Sequence, residues 1–160
     1  TVRDAVLRSH TWNVAISRSS LAKDTDAPAF GFSSQFTLPT DPYCLRVVSF
    51  WNSNVNNDVA AYDSNVMFKI EGRKVLSNEG TCSIIYIGRV TDTEQFDPLL
   101  SSTIAHRLAS ETAYAITGSN ALAQSMYSLY QARLSEARSM DALEGYPEQL
   151  QADTYTNARF

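Results

Sequence analysis

The stretch TEQFDPLLSSTIAHRLASETAYAITGSNALAQSMYSLYQARLSEAR, residues 93–138, decides the fold, because here the hydrophobic period changes from strand-like to helix-like and does not change back. Asp97 ahead of Pro98 is a helix start: the carboxylate can accept from free N–H groups, and Pro at the first helical position gives up no hydrogen bond. Ala105, Leu108, Ala109, Ala113 and Ile116 trace one apolar face, and Thr117-Gly118 ends it with a residue suited to the left-handed cap. Ser119 caps a second helix, along which Leu122, Met126, Leu129, Tyr130, Leu134 and Ala137 recur at helical spacing until Gly145 and Pro147 stop it. The expected product is a pair of long antiparallel helices whose many alanines permit close axial approach.

Upstream the period is mostly two. Thr1 to Arg8 carries Val2, Ala5, Val6 and Leu7 at helical spacing, and the chain opens without an initiator Met, so this segment is expected to be the end of a helix begun further upstream. From Thr11, Trp12, Val14 and Ile16 alternate with Asn13, Ala15 and Ser17 and predict a half-buried strand. Phe30, Phe32, Phe36 and Leu38 repeat that alternation, with Ser34 the small member of the face, before Pro39 and Pro42 punctuate a turn. Residues 45–51, LRVVSFW, are apolar on both faces and predict a central strand covered on each side. An Asn-rich connection spans 52–64. Val66, Phe68 and Ile70 then enter a hairpin at Glu71-Gly72 and leave through Lys74, Val75 and Leu76, and a turn at Asn78-Glu79-Gly80 leads to a last strand over 82–87. The fold class read from this order is α+β: an antiparallel β-meander, a C-terminal pair of long antiparallel helices and an N-terminal helix end. Residues 1–146 form a single domain, and 147–160, which lose all periodicity, read as an extended arm that needs an external surface to order it.

Composition narrows the function. At 160 residues the chain can bury roughly two-thirds of its unfolded surface, enough to fold without disulfides or metals. Seventeen acidic residues against 13 basic ones, with a net charge of -4 and no basic run, argue against nucleic-acid affinity, which depends on neutralising phosphates. No stretch approaches the roughly 20 apolar residues of a membrane span, and no secretory leader is evident, so a soluble protein is expected. Cys44 and Cys82 lack CxxC spacing and are expected to be two buried thiols on neighbouring strands.

The residues that could carry chemistry each have a plainer use. The six glycines form no phosphate loop, nucleophile elbow or dinucleotide fingerprint, and each suits a turn or cap. His106 has no second ligand four residues on, and His10 is expected to cap a helix end or pack. Asp92, Glu94 and Asp97 form an acidic group ahead of a helix, where the peptide dipole favours negative charge; the rival use is a metal or carboxylate-pair site. Asp58 and Asp63 fit Asx turns, and Cys44 with either His as a nucleophile and base has no activating context for its thiol. No catalytic residue, cofactor or metal is expected.

Several strings are informative in their order. Leu7, His10, Trp12, Val14-Ala15 and Arg18 are followed by Leu21; Leu38-Pro39-Thr40-Asp41 precedes Leu45-Arg46-Val47; Ile70-Glu71-Gly72-Arg73 sits at the hairpin. Then come Ile84-Ile85-Tyr86-Ile87 with Val90 and Asp92, Phe96-Asp97-Pro98-Leu99, Leu108-Ala109 with Glu111, Tyr130, and Ala137-Arg138 with Asp141-Ala142. This series, running from about Val2 to Glu144, resembles the tail tubular protein A family, adaptor proteins that sit beneath the portal of short-tailed bacteriophages. No single string is specific, and the shared order carries the likeness. Val14 stands where the family often has an aromatic, and the last sixteen residues match no motif.

The resemblance implies a structural virion protein at the head-tail junction: a homo-oligomeric ring of about twelve copies, joining the portal protein above to the tail nozzle protein below. Genomic DNA would pass through its channel during ejection without specific binding, and no membrane would be involved. Tyr155, Arg159 and Phe160 in the arm are the expected oligomer or portal contacts. Two rivals come from other classes. One is a small metal-dependent enzyme using Asp92, Glu94 and Asp97, and the other is a monomeric module that binds a peptide at an exposed sheet edge.

Overall fold

The chain is described by a computed structural model over residues 1–51 and 67–144. Helix α1 (Val2–Ser9) begins where the Thr1 hydroxyl accepts from the Asp4 N–H, and it ends at His10, whose backbone is extended. Trp12 is then buried, its indole N–H donating to the Val6 carbonyl at 3.0 Å. A single 3₁₀ turn, Asn13–Ala15, occupies the place where alternation predicts a strand, and β1 (Ile16–Leu21) starts only after it. The turn is needed because Trp12 and Ala15 enter the same core. In a strand, residues three apart would face opposite sides.

The remaining strands are β2 (Ser34–Thr37), β3 (Cys44–Trp51), β4 (Phe68–Glu71), β5 (Lys74–Ser77) and β6 (Cys82–Gly88). Every pairing is antiparallel, and the chain divides the strands between two sheets, ordered β1-β6-β3 and β2-β5-β4. The hairpin foreseen at Glu71-Gly72 is present, with Glu71 opposite Lys74 across Gly72-Arg73 and Gly72 at φ 58°. The next turn does not make a second hairpin: β5 and β6 belong to different sheets, so residues 78–81 cross between layers. Two further expectations are corrected. The strand foreseen from Phe30 shortens to Ser34–Thr37, because Gly31 adopts φ 86°, incompatible with an extended run, and Phe30 is left 89% exposed. The apolar segment is covered on both faces over 45–50, as expected, yet it lies at an edge of its sheet, and β6 takes the centre.

Three layers result. One face of β6 sends Cys82, Ile84 and Tyr86 into a core with Phe36, Leu38, Cys44, Phe50 and Val75, between the two sheets. The other face sends Ile87 into a second core with Val6, Leu7, Trp12 and Ala15 and the helical residues Leu100, Tyr130, Leu134 and Ala137. Leu45 and Val48 join the helix side and Val47 the sheet side, which is why β3 reads as apolar throughout. The helices are α2 (Pro98–Thr117) and α3 (Asn120–Leu143), preceded by a 3₁₀ turn at Thr93–Gln95. The α+β class and the C-terminal helix pair are thus as the sequence indicates.

Candidate interaction surface

The Asp97 carboxylate accepts from the N–H groups of Leu99 at 2.8 Å and Leu100 at 3.3 Å, and Pro98 follows it at the first helical position. This start aims Leu100 into the helix-side core, and Thr103, one turn on, is wholly buried with its hydroxyl donating to the Leu99 carbonyl at 2.8 Å. At the far end Gly118 takes φ 67° and its N–H donates to the Tyr114 carbonyl, a conformation that disfavours any side chain. The Ser119 hydroxyl then accepts from the Leu122 N–H to open α3.

The buried faces differ between the two helices. On α3, Tyr130, Leu134 and Ala137 are buried as the spacing predicts, whereas Leu122 and Leu129 of the same series are exposed and Met126 is half-buried. On α2 the expected face is displaced: Leu100, Thr103 and Ala113 are buried, whereas Ala105, Leu108 and Ile116 are exposed, Ile116 to 79%. The polar groups on the buried side are internally satisfied, so polarity there gives no warning. Arg107 illustrates this: it bonds Glu111 at 2.8 Å and lays its guanidinium 5.2 Å from the Tyr130 ring centroid on the facing helix.

The consequence is a surface of unburied apolar side chains. Leu108, Tyr114 and Ile116 on α2, and Leu122, Tyr127, Leu129, Met140 and Leu143 on α3, are all exposed. Charge on the hairpin balances: Arg107, Arg133 and Arg138 against Glu111, Glu136 and Asp141. The base of α3 is fixed to the N-terminal segment. Asn13 donates its backbone N–H to an Asp141 carboxylate oxygen at 3.0 Å and its side-chain amide to the Asp141 carbonyl at 2.7 Å, and Arg138 donates to the Ser9 carbonyl at 3.1 Å. His10 faces Asp141 at 3.4 Å; burial holds its pKa below the ordinary value, with Arg138 and Arg46 acting in the same direction and Asp141 opposing.

The other residues singled out by sequence are in structural roles. Asp92 accepts from the Glu94 N–H at 3.1 Å and from the Gln95 side chain, and Asp97 caps α2, so two of the three acidic side chains are engaged by helix starts. Among the described residues no three His, Cys, Asp or Glu side chains form a set able to hold a metal ion. His106 Nδ1 lies 2.7 Å from the Ser102 carbonyl, and His10 ends α1. Cys44 and Cys82 are free, buried and on the paired strands β3 and β6; burial pushes the Cys82 thiol up to about 12 and raises that of Cys44, with Arg73 opposing at Cys44. An open depression of ≈ 370 Å³ along α3 is lined by Leu134, Arg138 and Ser139 among others, and the Ser139 hydroxyl donates to the Ser135 carbonyl of the helix itself. Strand β4 is exposed along its whole length at the edge of its sheet. Among the described residues, no helix is long and apolar enough to cross a membrane. Asp58, Asp63, Tyr155, Arg159 and Phe160 lie outside the described residues.

One arrangement escapes sequence reading. Two guanidinium groups lie over the Tyr43 ring, that of Arg73 at 3.9 Å from its centroid and that of Arg89 at 4.4 Å, while Arg73 donates to the Pro39 carbonyl at 2.6 Å and Arg89 pairs with Asp4 at 2.9 Å. It ties the β4-β5 hairpin, the Pro39–Pro42 turn and α1 together. The only sequence signal was the Arg that follows the Glu-Gly turn. The chain matches no protein-family model and no curated protein.

Proposed function

We propose that the chain is a structural subunit of a virion, an adaptor of the tail tubular protein A kind. In this reading a ring of identical copies joins portal protein to tail nozzle at the head-tail junction of a short-tailed bacteriophage. The observation that carries it is the set of apolar side chains left exposed along both helices of the hairpin. Surfaces of this kind mark contact with other protein. A ring needs two different patches on each copy, because its contacts are heterologous. Those on α2 and those on α3 provide two candidates, and the exposed edge of β4 a third.

Charge is compatible with a conduit. Three arginines against three acidic residues on the hairpin, within a chain of net charge -4, offer DNA no stripe of phosphate contacts on which to stall. The strings that resemble the family also occupy positions where they hold the fold: Trp12 seals the helix-side core, Arg73 clasps Tyr43, and Asp97 starts α2. In this reading the chain performs no chemistry, and the segment 147–160 docks on the portal or a neighbouring copy.

The test is electron microscopy of the purified protein alone and mixed with portal protein. Rings of fixed symmetry on the portal are expected. A chain that stays monomeric and leaves the portal bare would sink the reading. A version ending at Glu144 that assembled normally would remove the role of the arm alone.

A further inference from the structure

Four of the five exposed large apolar residues of α3 are ordered, Tyr127 being the one off the line. Leu122, Leu129, Met140 and Leu143, with the half-buried Met126 and the charged Arg133 and Glu136 between them, run 122, 126, 129, 133, 136, 140, 143, an unbroken alternation of steps of four and three. That is the spacing of a coiled-coil seam. It lies roughly 90° round the helix from Tyr130, Leu134 and Ala137, so α3 carries two seams, and the chain's own core covers one of them. On the outer seam Leu129 is 43% exposed, Met140 50% and Leu143 77%.

The outer seam is also symmetric. Reversing it about the point between Leu134 and Ser135 sets Met126 on Leu143, Leu129 on Met140 and Arg133 on Glu136. Within one helix Arg133 and Glu136 are already paired at 2.8 Å. An antiparallel copy brings opposite charges together twice more across the contact, whereas a parallel copy in register would set Arg133 on Arg133 and Glu136 on Glu136. We infer that a second copy of the chain covers this seam, α3 packing antiparallel on α3 about a two-fold axis near Leu134-Ser135.

The contact spans about 27 Å of helix and uses one face of each copy, at the small end of stable interfaces. The pair is therefore weak and concentration-dependent. An isologous contact closes on itself, so it describes the free chain; it goes beyond the adaptor reading and does not rest on it.

Sedimentation equilibrium of the full chain over a micromolar to sub-millimolar series tests it, with circular dichroism confirming the fold of each variant. A monomer-dimer equilibrium is expected. Arg133→Glu alone or Glu136→Arg alone should weaken it by about tenfold, and the double swap should restore it, because each change is then met by its reversed partner. Leu129→Glu should abolish it. A chain that is monomeric throughout overturns the inference and leaves the seam to a different protein. So does any oligomer that these substitutions leave unchanged, or a double swap no better than the singles.

Discussion

In the half of the molecule built on the sheets, Phe36, Val75, Ile84 and Ile87 have at most 1% of their surface exposed, whereas from Leu108 to Leu129 the helical hairpin has a single buried residue, Ala113. Both regions are rich in large apolar side chains. The sheet half spends them on its own two cores, and the outer part of the hairpin leaves Leu108, Tyr114, Ile116, Leu122, Tyr127 and Leu129 uncovered. Apolar burial stabilises a fold only where the side chain leaves water. The difference therefore separates residues that hold this chain together from residues available to something else.

Substitution can break that separation. Trp12→Ala removes the largest buried side chain and the indole bond to Val6, and should cost about 3–5 kcal/mol, read as a large fall in the urea midpoint. Leu134→Ala, at the buried base of α3, should cost about 2–5 kcal/mol. Leu129→Ala, on the exposed seam of the same helix, should stay within about 0.5 kcal/mol. A cost at Leu129 equal to that at Leu134 would mean that the monomer already covers the outer seam. Asp97→Ala, which takes the acceptor from the start of α2, should cost about 1 kcal/mol.

Much of this division could be read in the sequence, and the misreadings share a cause. The cap at Asp97-Pro98, the left-handed Gly118 and the tight hairpin at Gly72 depend on local chemistry and are placed correctly. The face of α2 depends on what it packs against. Leu108 and Ile116 have the period of a core and are exposed, while Thr103 has the composition of a surface and is wholly buried, its hydroxyl satisfied by its own helix. Hydrophobic periodicity finds where apolar residues gather and is silent on whether their cover belongs to the same chain. Trp12 misleads in a similar way: the alternation from Trp12 to Ile16 suits a strand, and a 3₁₀ turn wins because Trp12 and Ala15 both belong in one core. In the acidic group at 92–97, capping is local chemistry and legible: Asp92 and Asp97 each accept from the N–H groups of the turn that follows. The Tyr43 clasp joins residues 4, 43, 73 and 89, and no local pattern announces it.

Acid should act on the ties between segments. Asp24 is held below its ordinary pKa by its bond from Lys74 at 2.9 Å, helped by Thr37 and opposed by partial burial. Burial raises Asp4, yet its bond from Arg3 and the charges of Arg89 and Arg3 outweigh that and hold it low. Both carboxylates contribute stability that is complete above the ordinary value of 3.8 and is lost as pH falls through their lower folded values. The thermal midpoint should therefore drop below about pH 4, and by less in Asp24→Asn, which has already lost one of the two.

His10, at the joint between α1 and α3, gives the smallest effect and the one at mildest pH. Its folded pKa lies below 6.5 because burial, with Arg138 and Arg46, disfavours the imidazolium more than Asp141 favours it. The unfolded chain then takes up the proton first as pH falls through 6.5, so stability is complete above that value and declines below it, levelling once the folded form is protonated too. A slight fall in thermal midpoint between pH 7.5 and 5.5 is expected, and it should vanish in His10→Asn. A rise over the same interval would mean that the pair with Asp141 dominates, and that the joint tightens on protonation.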